Sequence, residues 1–165
     1  MPTRIFSLVV VVSAATLVTC CDSTGADHAG LKTLTGRQVA DRAEDYVRRA
    51  ATALPPLARL ELHSADTIPC DDPSGHSLHG RVTAGQSYWV RDLPKAGHPR
   101  YFDAMLDWWS KHGFFVLTDD RPGRNYVSVQ NEQDGFRMAL RETPDGGLLL
   151  GADSPCVWPH GTPVS

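Results

Sequence analysis

The densest group of side chains that could do chemistry lies in a short segment rich in turn-forming residues. It is Asp71-Asp72-Pro73-Ser74-Gly75-His76-Ser77-Leu78-His79, which combines two carboxylates with a His-x-x-His pair. Carboxylate and imidazole ligands together suit zinc or copper. Asp-Asp-Pro-Ser-Gly is also ordinary turn chemistry, however, and an irregular loop enforces no ligand geometry. We therefore predict no metal, and keep Asp71, Asp72, His76 and His79 as the alternative ligand set.

Sequence signatures of enzymes are otherwise absent from the chain. It contains no G-x-S-x-G, no Walker loop, no G-x-G-x-x-G and no H-E-x-x-H. Ser154 follows Asp153 and could in principle act as a nucleophile, but a triad also needs a positioned histidine and an oxyanion hole. Ser-Pro-Cys is more simply a turn that ends a strand. We therefore predict no catalytic residue and no cofactor.

Two pairs of adjacent aromatic residues are candidates for binding. Neighbours on a helix point about 100° apart, so Trp109 takes a core position and Trp108 lies on the flank, either packed at the sheet edge or partly exposed for recognition. On a strand, Tyr88 points inward and Trp89 to the other face. If the helices cover only one face, Trp89 lies on the open side. We predict Trp89 and Trp108 as binding residues.

The first 19 residues have the pattern of a signal peptide. Arg4 is followed by about fourteen uncharged, mostly apolar residues, which is the length of a signal-peptide core and too short to span a membrane. Leu17-Val18-Thr19-Cys20-Cys21 then resembles the lipobox of bacterial lipoproteins, in which a cysteine is diacylated. We predict export and lipidation at Cys20, with Cys21 as the alternative. The anchored protein would lie at the outer face of the cytoplasmic membrane; ordinary signal-peptidase cleavage would instead release a soluble secreted protein.

Composition divides the remaining chain into a tether and one domain. Residues 20–34 hold the lipidation site and a small, polar segment typical of a flexible tether. Residues 35–165 suffice for one domain, which we expect to be α+β with a short C-terminal tail. The formal net charge is −3 and there is no basic block, so nucleic acid is not an expected partner.

Two segments have the apolar periodicity of helices. The first begins with Thr35 and Gln38, which fit a capping box, and it ends at Pro55-Pro56. The second begins near Pro99 and ends near Gly113. Its apolar face is formed by Phe102, Met105, Leu106 and Trp109.

Six segments have the character of strands. Residues 58–63 and 82–90 form the first two, joined by a turn-rich loop from Asp71 to Gly80. Residues 114–118, 126–130, 136–142 and 148–152 follow, separated by hairpin-type turns that imply antiparallel neighbours. The order α-β-β-α-β-β-β-β predicts an α+β two-layer sandwich: a mainly antiparallel sheet with two helices on one face.

Two cysteines remain inside the predicted domain. Cys70 and Cys156 each lie beside a proline at an element boundary. Because cysteine pairs of exported proteins are usually oxidised, we predict a disulfide between them.

A family resemblance covers residues 37–161. The residues that carry it are Trp108-Trp109, Gly113-Phe114, Asp134-Gly135-Phe136 and Ser154-Pro155-Cys156-Val157. The chain resembles small exported lipoproteins of actinomycetes, many without an assigned activity, so the resemblance implies no catalytic residue.

Two functions remain open after these arguments. The first is a membrane-tethered, non-enzymatic module that binds an unknown protein or cell-wall component through the open sheet face. The alternative is a small hydrolase or metal-dependent enzyme that uses the Asp71 to His79 loop.

Overall fold

The computed structural model describes residues 34–71 and 77–162, and the side chains of residues 71–79 are outside that description. The helices are α1 (Gly36–Ala50) and α2 (His98–Lys111), and the strands are β1 (Arg59–Asp71), β2 (Ser77–Arg91), β3 (Phe114–Asp119), β4 (Tyr126–Asn131), β5 (Arg137–Glu142) and β6 (Leu148–Asp153). A 3-10 turn follows α1 at Ala51–Ala53, and another precedes α2 at Lys95–Gly97.

Helix α1 begins with the predicted capping box. The hydroxyl of Thr35 accepts from the Gln38 backbone N–H, and the Gln38 side chain accepts from the Thr35 N–H. Together these contacts satisfy two of the backbone donors that a helix start leaves unpaired. Every third or fourth residue after the cap is buried, namely Val39, Ala43, Val47 and Ala50. The helix therefore presents one apolar stripe to the sheet.

Helix α2 follows the predicted periodicity. Phe102, Met105 and Trp109 are buried, and Pro99 lies in the first turn, where its missing N–H costs no helix hydrogen bond. The indole N–H of Trp109 contacts the Met138 sulfur at 3.3 Å. This contact fixes the end of α2 against β5.

The sheet has the strand order β1-β2-β6-β5-β4-β3, and every neighbouring pair is antiparallel. Side chains of both helices share one buried cluster with alternate residues of the strands, including Tyr88, Leu140 and Leu150. Both helices therefore cover the same face. The predicted α+β sandwich and its element order are confirmed.

The loop predicted from Asp71 to Gly80 is wrong in its extent. Strand β1 continues through Pro69 to Asp71, and β2 already includes the backbone of Ser77 to Gly80, so only residues 72–76 separate them. Residues 65–69 are all exposed. This end of the hairpin has water on both faces, so its sequence lacks the alternation that identifies a half-buried strand. Pro69 is tolerated because β1 is an edge strand.

The predicted bridge between Cys70 and Cys156 is present. Their Cα atoms lie 6.2 Å apart, and Cys70 is only 3% exposed. Next to the bridge, Val82 and Val157 exchange two backbone hydrogen bonds of 2.8 Å. The disulfide thus crosses β2 and joins the end of β1 to the segment after β6.

Candidate functional site

The side chains of the alternative metal-ligand set lie outside the part of the chain that the structure describes. Asp72 and His76 lie outside the described residues, and the side chains of Asp71 and His79 are outside them too. Elsewhere in the described chain, no group of three or more His, Cys, Asp or Glu side chains could hold a metal ion. The alternative ligand set stays a prediction.

The hydrogen bonds of Ser154 hold the end of β6 in place. Its hydroxyl accepts from the Ala84 backbone N–H at 3.0 Å and lies 2.9 Å from the Pro155 carbonyl, to which it donates. The side chain is buried at the end of β6, where it ties that end to β2. These contacts support the interpretation of Ser-Pro-Cys as a turn that ends a strand.

The two predicted binding tryptophans lie on different layers. Trp108 is on α2, partly buried against the core, and its ring stacks on His112 with 3.8 Å between centroids. Trp89 is on β2 and points away from the helices, because its neighbours Tyr88 and Val90 point into the core. One continuous surface therefore cannot contain both rings. Trp89 belongs to the open face of the sheet.

A row of large side chains crosses this open face. The register places Glu61, Trp89, Leu149, Arg141 and Tyr126 side by side on β1, β2, β6, β5 and β4. We call this set the cross-strand row. Leu149 is only 4% exposed, although both helices are on the other side of the sheet. Its long neighbours in the row must therefore shield it.

Each aromatic ring of the cross-strand row is paired with an arginine. The Arg91 guanidinium lies 4.7 Å from the Trp89 ring centre, and that of Arg124 lies 5.1 Å from the Tyr126 ring centre. Such contacts hold a ring and a cation together at a partly exposed site. The His63 ring also meets Trp89 edge-on at 4.9 Å. Both aromatic rings of the row are therefore held in place by neighbouring side chains.

Both of these guanidinium groups form hydrogen bonds with carboxylates. Glu61 accepts from Arg91 at 3.0 Å, and Asp120 accepts from the Arg124 Nε at 3.0 Å. The hydrogen bond from Arg91, with a second one from Arg59, lowers the pKa of Glu61. Glu61 is thus an anion at neutral pH, and both ends of the cross-strand row are locally neutral.

Arg141, in the middle of the row, has a different environment. It is exposed, and no carboxylate of the described residues lies within the 4.0 Å that defines an ion pair with it. Arg137, four residues before Arg141 and on the same face of β5, donates to Gln130 at 3.1 Å. Arg141 is therefore a cation of the open face that forms no ion pair with a described carboxylate, whereas Arg137 lies opposite Asp153 on β6.

Small side chains form a second row beside the first. The register aligns, across all six strands, Ser64, Ser87, Gly151, Ala139, Ser128 and Thr118. A floor of such residues lies lower than the large side chains next to it. The open face is therefore stepped, with the cross-strand row standing above its neighbour.

Asp153 lies next to this row of small side chains, on the side away from the cross-strand row. An ideal Cβ on Gly85 would lie 2.5 Å from its Oδ1, so a side chain at position 85 would require the Asp153 carboxylate to shift. Desolvation raises the pKa of Asp153, while the nearby charge of Arg137 opposes that shift. The residue as a whole is exposed on this face of the sheet.

A cavity of about 690 Å³ lies at the Tyr126 end of the cross-strand row. It is lined by Arg124, Asn125, Tyr126, Arg141, Glu142, Thr143 and Pro144. Glu142 accepts from Asn125 at 2.6 Å and contacts the His98 ring nitrogen at 3.2 Å, and these contacts lower its pKa. Its charge is therefore already compensated by protein donors. Of the two arginines that line the cavity, Arg124 is paired with Asp120, and Arg141 has no ion pair among the described residues.

Tyr126 and Arg141 were not among the residues predicted to bind. Alternation alone would have placed both on the outer face, because Val127 and Leu140 are the inward neighbours. Their alignment with Trp89 depends on β6 inserting between β2 and β5, which no local pattern specifies.

Comparisons of the chain with protein-family models, with curated proteins and with solved structures found no match. The resemblance to actinomycete lipoproteins therefore stays a prediction from the sequence. Cys20, Cys21 and the rest of the predicted signal peptide and lipidation site lie outside the described residues. Within the described part of the chain, no helix is both long and apolar enough to cross a membrane.

Proposed function

We propose that the protein is an exported, lipid-anchored binding module of the cell envelope, and that it binds its partner on the open face of the sheet. The observation that carries the proposal is the cross-strand row on a face that no described element covers. Exposed groups of braced aromatic and charged side chains of this kind are typical of recognition surfaces.

The proposed lipid anchor and the open face of the sheet are compatible with one arrangement at the membrane. A lipid at Cys20 and a polar tether up to residue 34 would hold the domain close to the membrane while leaving it free to turn. A disulfide between Cys70 and Cys156 suits the oxidising side of that membrane. Binding needs no catalytic group, which agrees with the structural role of Ser154.

Co-sedimentation with washed cell-wall and membrane fractions tests this function, with a chain that starts at Asp22 and so lacks the proposed signal peptide and lipid anchor. Trp89→Ala removes the larger of the two aromatic rings of the cross-strand row, so it should reduce retention on the envelope fraction at least about tenfold, as for a binding hot spot. Trp108→Ala is the matched control, because it removes a ring of the same size from the helix layer. Retention that is lost with Trp108→Ala and kept with Trp89→Ala would contradict the proposal.

A further inference from the structure

A second cavity of the open face lies beside the disulfide. Its volume is about 670 Å³, and Ile68, Pro69 and the Cys70–Cys156 bridge supply an apolar wall. Arg137 and Asp153 line the same cavity. An apolar wall next to a small number of charged groups is typical of sites that bind small molecules, and the volume is in their usual range.

The two charged side chains of this cavity do not neutralise each other directly. Arg137 and Asp153 are opposite each other in the register of β5 and β6, yet their charged atoms are not within the 4.0 Å that defines an ion pair. The Arg137 guanidinium donates instead to the Gln130 side chain at 3.1 Å. The cavity therefore offers a ligand one positive and one negative group.

The Asp153 carboxylate is held in a position that costs stability. Desolvation raises its pKa, and the nearby charge of Arg137 opposes this shift without cancelling it. An ionised carboxylate whose pKa is raised on folding destabilises the folded state. Such groups are concentrated at functional sites, where activity compensates for lost stability. An ammonium group on a ligand would give Asp153 an ion-pair partner.

The space beside Asp153 favours a cation. Gly85 lies between Asp66 and Asp153 in the register of β1, β2 and β6. Because an ideal Cβ on Gly85 would lie 2.5 Å from the Asp153 Oδ1, that carboxylate extends over the glycine. Asp66 and Asp153 also line a smaller cavity of about 280 Å³. Negative charge therefore dominates on this side of Asp153, and positive charge on the Arg137 side.

We infer that the cavity beside the disulfide binds a free amino acid with an apolar side chain. The ammonium group of the ligand donates to Asp153, and its carboxylate accepts a bidentate contact from Arg137. Its side chain packs against Ile68 and Pro69. In an amino acid both charges and the side chain leave one carbon atom, which suits charged groups that adjoin an apolar wall. The inference goes beyond the proposed envelope binding, because this cavity includes no residue of the cross-strand row.

Three ligands with the same side chain test the need for both charges. L-leucine carries both, N-acetyl-L-leucine lacks the ammonium group and L-leucinamide lacks the carboxylate. NMR titration of the ¹⁵N-labelled chain from Asp22 with L-leucine should give saturable shifts at the Gly85 amide and the Arg137 Nε–H. Each analogue should bind at least about tenfold more weakly, because each loses a charge-assisted contact.

Variants assign each charge of the ligand to one side chain. Arg137→Gln should abolish the preference for L-leucine over L-leucinamide, and Asp153→Asn should abolish the preference over N-acetyl-L-leucine. Arg141→Gln and Asp41→Asn are the matched controls, because they change the same residue types on β5 and α1 outside the cavity. Both controls should bind L-leucine as the unchanged chain does. Thermal unfolding of each variant shows that the fold is kept.

Four outcomes would overturn the inference. They are no saturable binding of L-leucine, equal affinity for the three ligands, preferences that survive both Arg137→Gln and Asp153→Asn, and binding to phosphatidylethanolamine vesicles without binding of L-leucine. The vesicles present an ammonium group and an anion on a lipid headgroup. In each case, envelope retention that still depends on Trp89 would leave the proposed binding function standing. Binding of L-leucine by a chain whose retention does not depend on Trp89 would refute that function alone.

Discussion

Breaking the Cys70–Cys156 disulfide should destabilise the domain mainly through its unfolded state. The bridge spans a sequence separation of 86 residues. For a loop of that size the chain-entropy relation gives about 4.6 kcal/mol at 25 °C, and measured losses of native bridges run from about 2 to 5 kcal/mol. Val82 and Val157 stay paired by two backbone hydrogen bonds next to the bridge, so the folded structure should survive reduction.

Urea unfolding of the full chain with and without a phosphine reductant measures this effect. The free energy of unfolding should fall by about 2–5 kcal/mol. A chain with Cys70→Ala and Cys156→Ala should show a similar loss, and a chain with Cys20→Ser and Cys21→Ser should show none. A loss under about 1 kcal/mol in the reduced chain, with its circular dichroism unchanged, would refute the assignment of the bridge as a major source of stability.

Three further predictions concern separate parts of the molecule. Tyr46→Phe deletes the hydroxyl that donates to Asp134 at 2.7 Å, and urea unfolding should show a loss of about 1.5–3 kcal/mol, whereas no change would contradict a role for that bond. Desolvation raises the folded pKa of Asp153 above its ordinary 3.8, so its ionisation opposes folding as pH rises through that range. Asp153→Asn should therefore raise stability at pH 7 and leave it unchanged at pH 3, and the opposite pH dependence would refute the cause given. When the protein is expressed in a lipoprotein-competent host, its partitioning into the detergent phase should be lost with Cys20→Ser and kept with Cys21→Ser. Loss with Cys21→Ser alone would show that Cys21 is the lipidated residue.

The sequence was sufficient to predict a helix or strand where one face of that element is buried in the core. Helix α2 follows from the spacing of Phe102, Met105 and Trp109, because each faces the core. The loop from Asp71 to Gly80 was wrong because β1 and β2 extend past the helices into water, and there burial imposes no alternation. Local patterning therefore predicted the sandwich and missed the projecting hairpin.

The binding surface was only partly accessible from the sequence. The outward position of Trp89 follows from the inward position of Tyr88. The alignment of Trp89 with Arg141 and Tyr126 needs the order of strands that are 37 or more residues apart in the chain. Long-range pairing of this kind depends on the whole fold, so no window of sequence contains it.

Oxidative footprinting in cells tests the open-face account most directly, because it needs no knowledge of the ligand. Hydroxyl-radical labelling of the anchored protein in intact cells is compared with labelling of the purified chain in micelles. The account predicts that Trp89 and Tyr126 are protected in cells, while Trp108 on the helix layer is labelled equally in both. Equal labelling of Trp89 in the two samples, or protection confined to Trp108, would contradict it.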